Sequence, residues 1–315
     1  MRALLVVNPM ATGTTPRSRD VLASALGADL KVEVVETRAR GHATDLAARA
    51  AEDGVDYVVA LGGDGTLNEV VNGLLAGGRL GEDVPVLGIV PGGCANVLAR
   101  SLGLPTDPVE GTAELLAGVR TGRTRTIGLG RADERWFTFC AGLGIDAATV
   151  QRVERRRRRG TQVTPWRYAR SALVEYVFHL SHRTPPLTVS APGHDEVDVF
   201  LGLVCNTAPW TYLGDRPVDP CPEASFESGL DLFGLTAMHA LPTLRILAQL
   251  FGDGPHGRRV VAWHDLEALT VRAHEPTALQ VDGDYLGEAS EVRFSSVPQA
   301  LRVVDGAPPA GPDEG

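Results

Sequence analysis

Over its first third the chain switches repeatedly between two hydrophobic periods, and this alternation restricts it to a parallel α/β sheet. Residues 3–7 form a short continuous apolar run, ALLVV, as expected for a strand buried on both faces. Residues 32–35, 57–61 and 84–90 read the same way. Between them, residues 17–26, 43–52 and 67–75 carry helical spacing. The last is clearest: Leu67, Val70, Val71, Leu74 and Leu75 fall at i, i+3, i+4, i+7 and i+8, and Gly77 and Gly78 end the helix. Strand and helix in strict alternation give a doubly wound sheet, which binds ligands beyond the carboxyl ends of its strands.

Near residue 123 the pattern changes. Short strands are predicted at 125–129, 136–139, 197–205, 230–235, 269–273, 278–281 and 292–295, separated by turn residues, as in an antiparallel sandwich. Two helices interrupt them. One opens at Thr164-Pro165, a cap followed by proline, and runs to about 180; the other covers about 244–251. The expectation is therefore an α/β domain over 1–123 and a β-rich domain, an antiparallel β-sandwich, over 124–305. The last strand could return to the first domain, and a Pro- and Gly-rich disordered tail fills 306–315.

A chain of 315 residues is long enough for two such domains. With 43% apolar and 22% charged residues it can bury a core, and its net charge of −9 argues against a nucleic-acid partner. Cys94, Cys140, Cys205 and Cys221 form no CxxC pair, so neither a disulfide framework nor a zinc site is expected. The first residues are too short and too soon polar for a signal peptide, and no apolar run reaches membrane-spanning length. A reduced, cytoplasmic chain is expected, with its oligomeric state unreadable.

The strongest local signal is LGGDGTLNEV, residues 61–70, which follows a buried strand and opens an amphipathic helix. Gly62, Gly63 and Gly65 remove side chains where a phosphate would approach the backbone, and the helix N-terminus favours an anion. Asp64 inside that positive nest would repel a bare phosphate, so a magnesium ion between the two is one reason for it. The plainer reading is an Asp-Gly turn with Thr66 as helix cap. The pattern is not a Walker loop, since no Lys-Ser or Lys-Thr follows. Two further small-residue loops, Asn8-Pro9 with Thr12-Gly13-Thr14 and Pro91-Gly92-Gly93-Cys94-Ala95-Asn96, close the first and fourth strands. Three such loops on one sheet edge suit a nucleotide.

These residues resemble the bacterial diacylglycerol kinase family, which shares its GGDGT loop with NAD kinases. The resemblance runs through Asn8-Pro9, Gly62 to Thr66 with Asn68-Glu69, PGGCANVLARSLGLP from Pro91, FCAGLGIDAATV from Phe139, PEASFESGLDL from Pro222 and QVDGDYLGE from Gln280. It implies ATP, Mg2+ and transfer of the γ-phosphate to a lipid hydroxyl, diacylglycerol above all, in a cleft between two domains. It implies Asp64 as the magnesium or phosphate-network residue. Asn8, Thr12, Gly62, Gly63, Gly65, Thr66, Glu69, Gly92, Asn96 and Asp284 would lie along the nucleotide. It implies Asp282 as catalytic base, which could accept the proton of the acceptor hydroxyl. On residues alone, Asp282-Gly283 also reads as a tight hairpin turn, and the two readings are compatible.

Three positions depart from the family pattern. Cys94 stands where threonine is usual, Asp284 where glutamate is common, and Glu227-Ser228-Gly229-Leu230-Asp231 replaces an Asp-Gly-Leu-Leu-Asp motif. Some relatives hold a structural magnesium near that motif, which makes Glu227 a metal candidate. Arg152 and Arg155 to Arg159 form the one strongly basic stretch. It is either a solvated helix end or an attraction to an anionic membrane surface at the inner face of the membrane. Arg167 and Arg170, on the helix expected next, could contact lipid phosphate or nucleotide. His239, His264 and Cys205 lack ligand spacing and read as structural. A sphingoid-base kinase would look almost identical. An NAD kinase should add a G-x-L-G-F segment, which is missing, and a nucleotide-binding regulator without activity is the alternative of another class.

Overall fold

The computed structural model describes residues 1–144 and 186–306. The expected helix over 164–180, Arg152, Arg155 to Arg159, Arg167 and Arg170 lie outside the described residues, as does the tail beyond Gly306. The chain divides into two compact units, Met1–Gly128 together with the stretch from Gln299 onward, and Leu129–Pro298.

In the first unit the order is β1 (Arg2–Val7), α1 (Pro16–Gly27), β2 (Lys31–Glu36), α2 (His42–Glu52), β3 (Tyr57–Gly62), α3 (Asp64–Leu74), β4 (Val86–Pro91), α4 (Val97–Ser101) and α5 (Pro108–Thr121). All pairings are parallel, in the order β4-β3-β1-β2. β3 and β4 are buried at every residue, as a continuous apolar run requires. β2 differs from the expectation of full burial: it pairs only with β1, and its residues are exposed or half-buried. Leu5, Val59, Leu61 and Val90 pack with Leu22, Leu26 and Leu115 of the helices as the core. α3 begins three residues before the expected start, so Asp64, Gly65 and Thr66 form its first turn. α5 has a cap in Asp107, whose carboxylate accepts from the N–H groups of Val109 and Glu110, with Pro108 at the first position.

The second unit is antiparallel. β5 (Thr124–Ala132) leads into it, followed by β6 (Arg135–Phe137), β7 (Cys140–Gly144), β8 (Leu187–Ser190), β9 (Val197–Val199), β10 (Leu201–Cys205), β11 (Thr211–Leu213), β12 (Arg216–Val218) and β13 (Leu230–Leu235). Then come α6 (Ala240–Gln249), β14 (Val260–Leu266), β15 (Ala268–Val281) and β16 (Asp284–Val304). The main order is β14-β13-β10-β7-β15-β16. The strand expected over 197–205 breaks at Phe200. Those expected at 269–273 and 278–281 are one strand, β15, with a register shift between Arg272 and Thr277. Phe137, Leu143, Val189, Val204, Leu232, Val271 and Phe294 centre its core. β16 starts in this unit and ends in the first, where Val303 pairs in parallel with Leu87.

Candidate functional site

The loops after β1, β3 and β4 lie side by side at the carboxyl edge of the parallel sheet, and they are tied by backbone. The Gly13 N–H donates to the Gly92 carbonyl at 2.8 Å, and the Gly92 N–H donates to the Gly62 carbonyl at 2.8 Å. Side chains add to this. Asn8 Nδ2 donates to Thr66 Oγ1 at 2.8 Å, and Thr12 Oγ1 lies 3.5 Å from Cys94 Sγ, so the thiol that replaces threonine still bridges the first and third loops. Asn96, in the left-handed region at φ 47°, closes its own loop: its Oδ1 accepts from Gly93 N–H at 2.8 Å and its Nδ2 donates to the Gly93 carbonyl at 2.9 Å.

The glycines are required by this packing as well as by any ligand. A Cβ on Gly93 would stand 2.7 Å from the Gly63 Cα, and one on Gly92 would stand 3.1 Å from the Gly62 Cα. These are approaches of backbone to backbone: the one at Gly93 leaves no room for a methyl group, and the one at Gly92 would need the facing strand to give way. Thr14 belongs to the first small-residue loop, but no sequence signal separates it from its neighbours. Its hydroxyl is buried against these loops with no hydrogen-bond partner, an orphan that a ligand or water would satisfy.

Gly63 is the N-cap of α3, and no side chain caps the first turn. Thr66, a candidate cap in the sequence, sits inside that turn instead. A positive helix end faces the glycine loops. Asp64 is the acidic residue of the first turn, and its Oδ1 accepts from the Leu98 N–H of α4 at 3.3 Å, which links the second and third loops. Among the described residues, no group of three His, Cys, Asp or Glu side chains gathers as a metal cage. A single carboxylate still suits magnesium, which keeps its waters and takes phosphate oxygens as further ligands. Glu69 is bound up in packing: its carboxylate accepts from Gly41 N–H at 2.9 Å and Ala43 N–H at 3.2 Å, capping α2 where Gly41 offers no side chain.

In the second unit, Val281 pairs with Asp284, and Asp282 and Gly283 form the two-residue turn with φ of 47° and 77°. This is the hairpin the Asp-Gly pair suggested. The turn does not leave Asp282 in solvent: it is 5% exposed. Its Oδ2 accepts from Thr138 N–H at 2.8 Å and Thr138 Oγ1 at 2.9 Å, and its Oδ1 from Phe139 N–H at 3.0 Å and Cys140 N–H at 3.1 Å. A carboxylate offers about four lone-pair sites, and these donors engage both of its oxygens. Asn206 holds the donor segment in place, with its Nδ2 on the Thr138 carbonyl at 3.0 Å and its N–H on the Phe139 carbonyl at 2.9 Å. Gln280 Oε1 accepts from Gly283 N–H at 3.0 Å. Thr138 and Asn206 escape a reading of the sequence, because their distance from Asp282 along the chain leaves no local signal. Asp284 is half-buried at the start of β16.

Asp231 and His264 also meet, although neither carries ligand spacing. His264 Nδ1 lies 2.8 Å from Asp231 Oδ1, with Glu223 at 3.8 Å. Hydrogen bonding to Asp231 raises the His264 pKa. Burial raises that of Asp231, outweighing the opposing bond from His264. Glu227, the metal candidate, is exposed on the segment leading into β13. Cys205 lies opposite Cys140 across β10 and β7, and its thiol is pushed well up by its bond to Cys221 and by burial. The Cys205 thiol therefore stays protonated and is a poor nucleophile.

Comparison with known proteins assigns this architecture. The fold shared by diacylglycerol kinases and an NAD kinase is the first conclusion. The structure aligns with a diacylglycerol kinase from Bacillus anthracis at a TM-score of 0.69 and 19% identity, covering 97% of both chains. It aligns with an NAD kinase from Archaeoglobus fulgidus in complex with ATP at 0.54 and 13% identity, covering 98% of this chain and 94% of that one. Residues 2–132 match the diacylglycerol kinase catalytic domain. A diacylglycerol kinase of Mycobacterium tuberculosis is 31% identical over 287 residues, 87% of this chain and 85% of the relative. The chain belongs to the diacylglycerol kinase family of lipid kinases.

Proposed function

We propose that the chain transfers the γ-phosphate of ATP to a lipid hydroxyl, with diacylglycerol as acceptor and phosphatidic acid as product, at the cytoplasmic face of a membrane. The observation that carries this is the set of three glycine loops bonded to one another in front of the uncapped N-terminus of α3. Backbone N–H groups and a helix dipole, with no bulk in the way, suit polyphosphate. Asn8, Thr12, Gly62, Gly63, Gly65, Thr66, Gly92 and Asn96 would line it. Glu69 would act indirectly, by fixing α3 against α2. Asp64 would hold Mg2+, whose charge would offset that developing on the phosphates.

Asp282 is proposed as proton acceptor for the lipid hydroxyl, and Asp284, two residues on, as a nucleotide contact. Of the four donors named, the Thr138 hydroxyl is the one that can turn away without moving backbone. A substrate hydroxyl could take that place and lose its proton to Oδ2 as its oxygen bonds to the γ-phosphorus and the bond from that phosphorus to the bridging oxygen breaks, releasing ADP. The bonds that hold Asp282 in its turn also favour a second reading, in which the residue is purely an anchor and the chain binds nucleotide without transferring phosphate.

The test is phosphate transfer from radiolabelled ATP with magnesium in mixed micelles of diacylglycerol, sphingosine or monoacylglycerol, beside soluble NAD. Labelled phosphatidic acid supports the proposal. Label in another lipid changes the substrate and keeps the chemistry. Label in NAD removes the lipid reading, and ATP binding without transfer selects the anchor reading.

A further inference from the structure

α6 turns an apolar face to solvent. Leu241 is 81% exposed, Leu244 47% and Phe251, just past the helix end, 47%; Ala248 is exposed too. The spacing of three, four and three residues puts them on one stripe. Thr243, Ile246 and Leu250 fill the opposite face and are buried, so the helix already satisfies the core with its other side. Arg245 is its only charged residue.

The rim of this stripe is basic in an acidic chain. Between His239 and Arg259 the sequence carries Arg245, Arg258 and Arg259 against Asp253 alone, within a protein of net charge −9. The loop bearing Arg258 is tied back to the helix: His256 N–H donates to Gln249 Oε1 at 3.2 Å, and Gln249 Nε2 lies 3.1 Å from His256 Nε2. Arg245 and Arg258 are exposed, and neither has an ion-pair partner among the described residues.

We propose that this face docks on an anionic bilayer, with Leu241, Leu244 and Phe251 entering the boundary between headgroups and acyl chains and the arginines meeting lipid phosphates. Apolar anchors with flanking cations are what such an interface selects. A second copy is the poorer occupant, because a two-fold contact through one patch would bring both sets of arginines together. The inference extends the lipid-substrate reading above, but its test needs neither ATP nor turnover, so either can fail alone.

The experiment is flotation of the full chain with vesicles of phosphatidylcholine, with and without phosphatidylglycerol. The expected result is binding that depends on phosphatidylglycerol, falls about fivefold in Arg245→Gln and falls at least tenfold in the triple variant Leu241→Ser, Leu244→Ser, Phe251→Ser, whose melting temperature is unchanged. Should the triple variant misfold, Leu241→Ser alone carries the test from its exposed position. Wild-type binding retained in a folded triple variant, or binding indifferent to phosphatidylglycerol, overturns the proposal. So does a concentration-dependent dimer that the triple variant disperses without any vesicle binding, which would make the occupant a second copy. A face that stays protected from solvent exchange in the free monomer would make the occupant residues 145–185 of this chain, with the same consequence.

Discussion

The glycine loops of the first unit and the Asp282 turn of the second are opposite constructions. The loops are made of absent side chains: Gly62, Gly63, Gly92 and Gly93 bring backbone against backbone and leave an uncapped helix end. The turn is made of a full side chain in a buried setting whose carboxylate already holds four donors. The first region is prepared to receive charge from outside. The second presents a carboxylate of its own, already held by hydrogen bonds within the protein. Damage to the first should therefore read as lost nucleotide affinity, and damage to the second as lost stability or turnover with affinity intact.

Gly93→Ala should break the first region most. Its Cβ would stand 2.7 Å from the Gly63 Cα, so the loops must separate. ATP affinity measured by titration calorimetry should fall at least about a hundredfold, with a stability loss of about 1–3 kcal/mol by urea denaturation. An unchanged affinity would show that the loop contact has no bearing on nucleotide.

Asp64→Asn keeps the shape and removes the charge. Affinity for ATP should fall about tenfold with magnesium present and rise without it, where the Asp64 carboxylate would repel bare phosphate. Equal affinities under both conditions would detach Asp64 from the metal.

Thr138→Val addresses the second region. It removes one of the four donors to Asp282 and leaves the Thr138 backbone N–H in place. The expected cost is about 1 kcal/mol of stability with ATP affinity unaltered. A change in affinity would mean that the two regions are not separable in the way described.

The smallest effect concerns Asp231 and His264. The His264 pKa is raised by its bond to Asp231, so its stabilisation is complete below about pH 6.5 and is lost as pH rises through the raised value. Asp231 is raised by burial, so its ionisation costs the folded form stability from about pH 4 upward, an opposing window at lower pH. Because His264 is nearly half exposed, the contribution is under about 1 kcal/mol. The melting temperature should fall more between neutral and mildly alkaline pH in the wild type than in His264→Gln. Parallel profiles would assign the pair no role in stability.

How legible each region was in the sequence follows from the same contrast. The glycine loops announce themselves locally: strand, glycine run and amphipathic helix are contiguous, and Tyr57–Gly62 and Asp64–Leu74 fall close to expectation. The Asp282-Gly283 turn was readable for the same reason. What surrounds Asp282 was not, because Thr138 and Asn206 reach it only through strand pairing in a sheet whose order no local pattern fixes. Asp231 with His264 was hidden in the same way. α5 was a different omission, since Asp107-Pro108 is the cap-then-proline signal read at Thr164-Pro165. β2 misled because Val32, Val34 and Val35 look buried in composition, while an edge position exposes them.

The most direct test measures Asp282→Asn, with ATP affinity and phosphatidic acid formation followed on the same preparation. A proton-acceptor role for Asp282 predicts ATP binding within about twofold of wild type and transfer reduced at least about a hundredfold, at a melting temperature that still shows a folded chain. Transfer retained at near wild-type rate would contradict that role and leave Asp282 as the anchor of its hairpin.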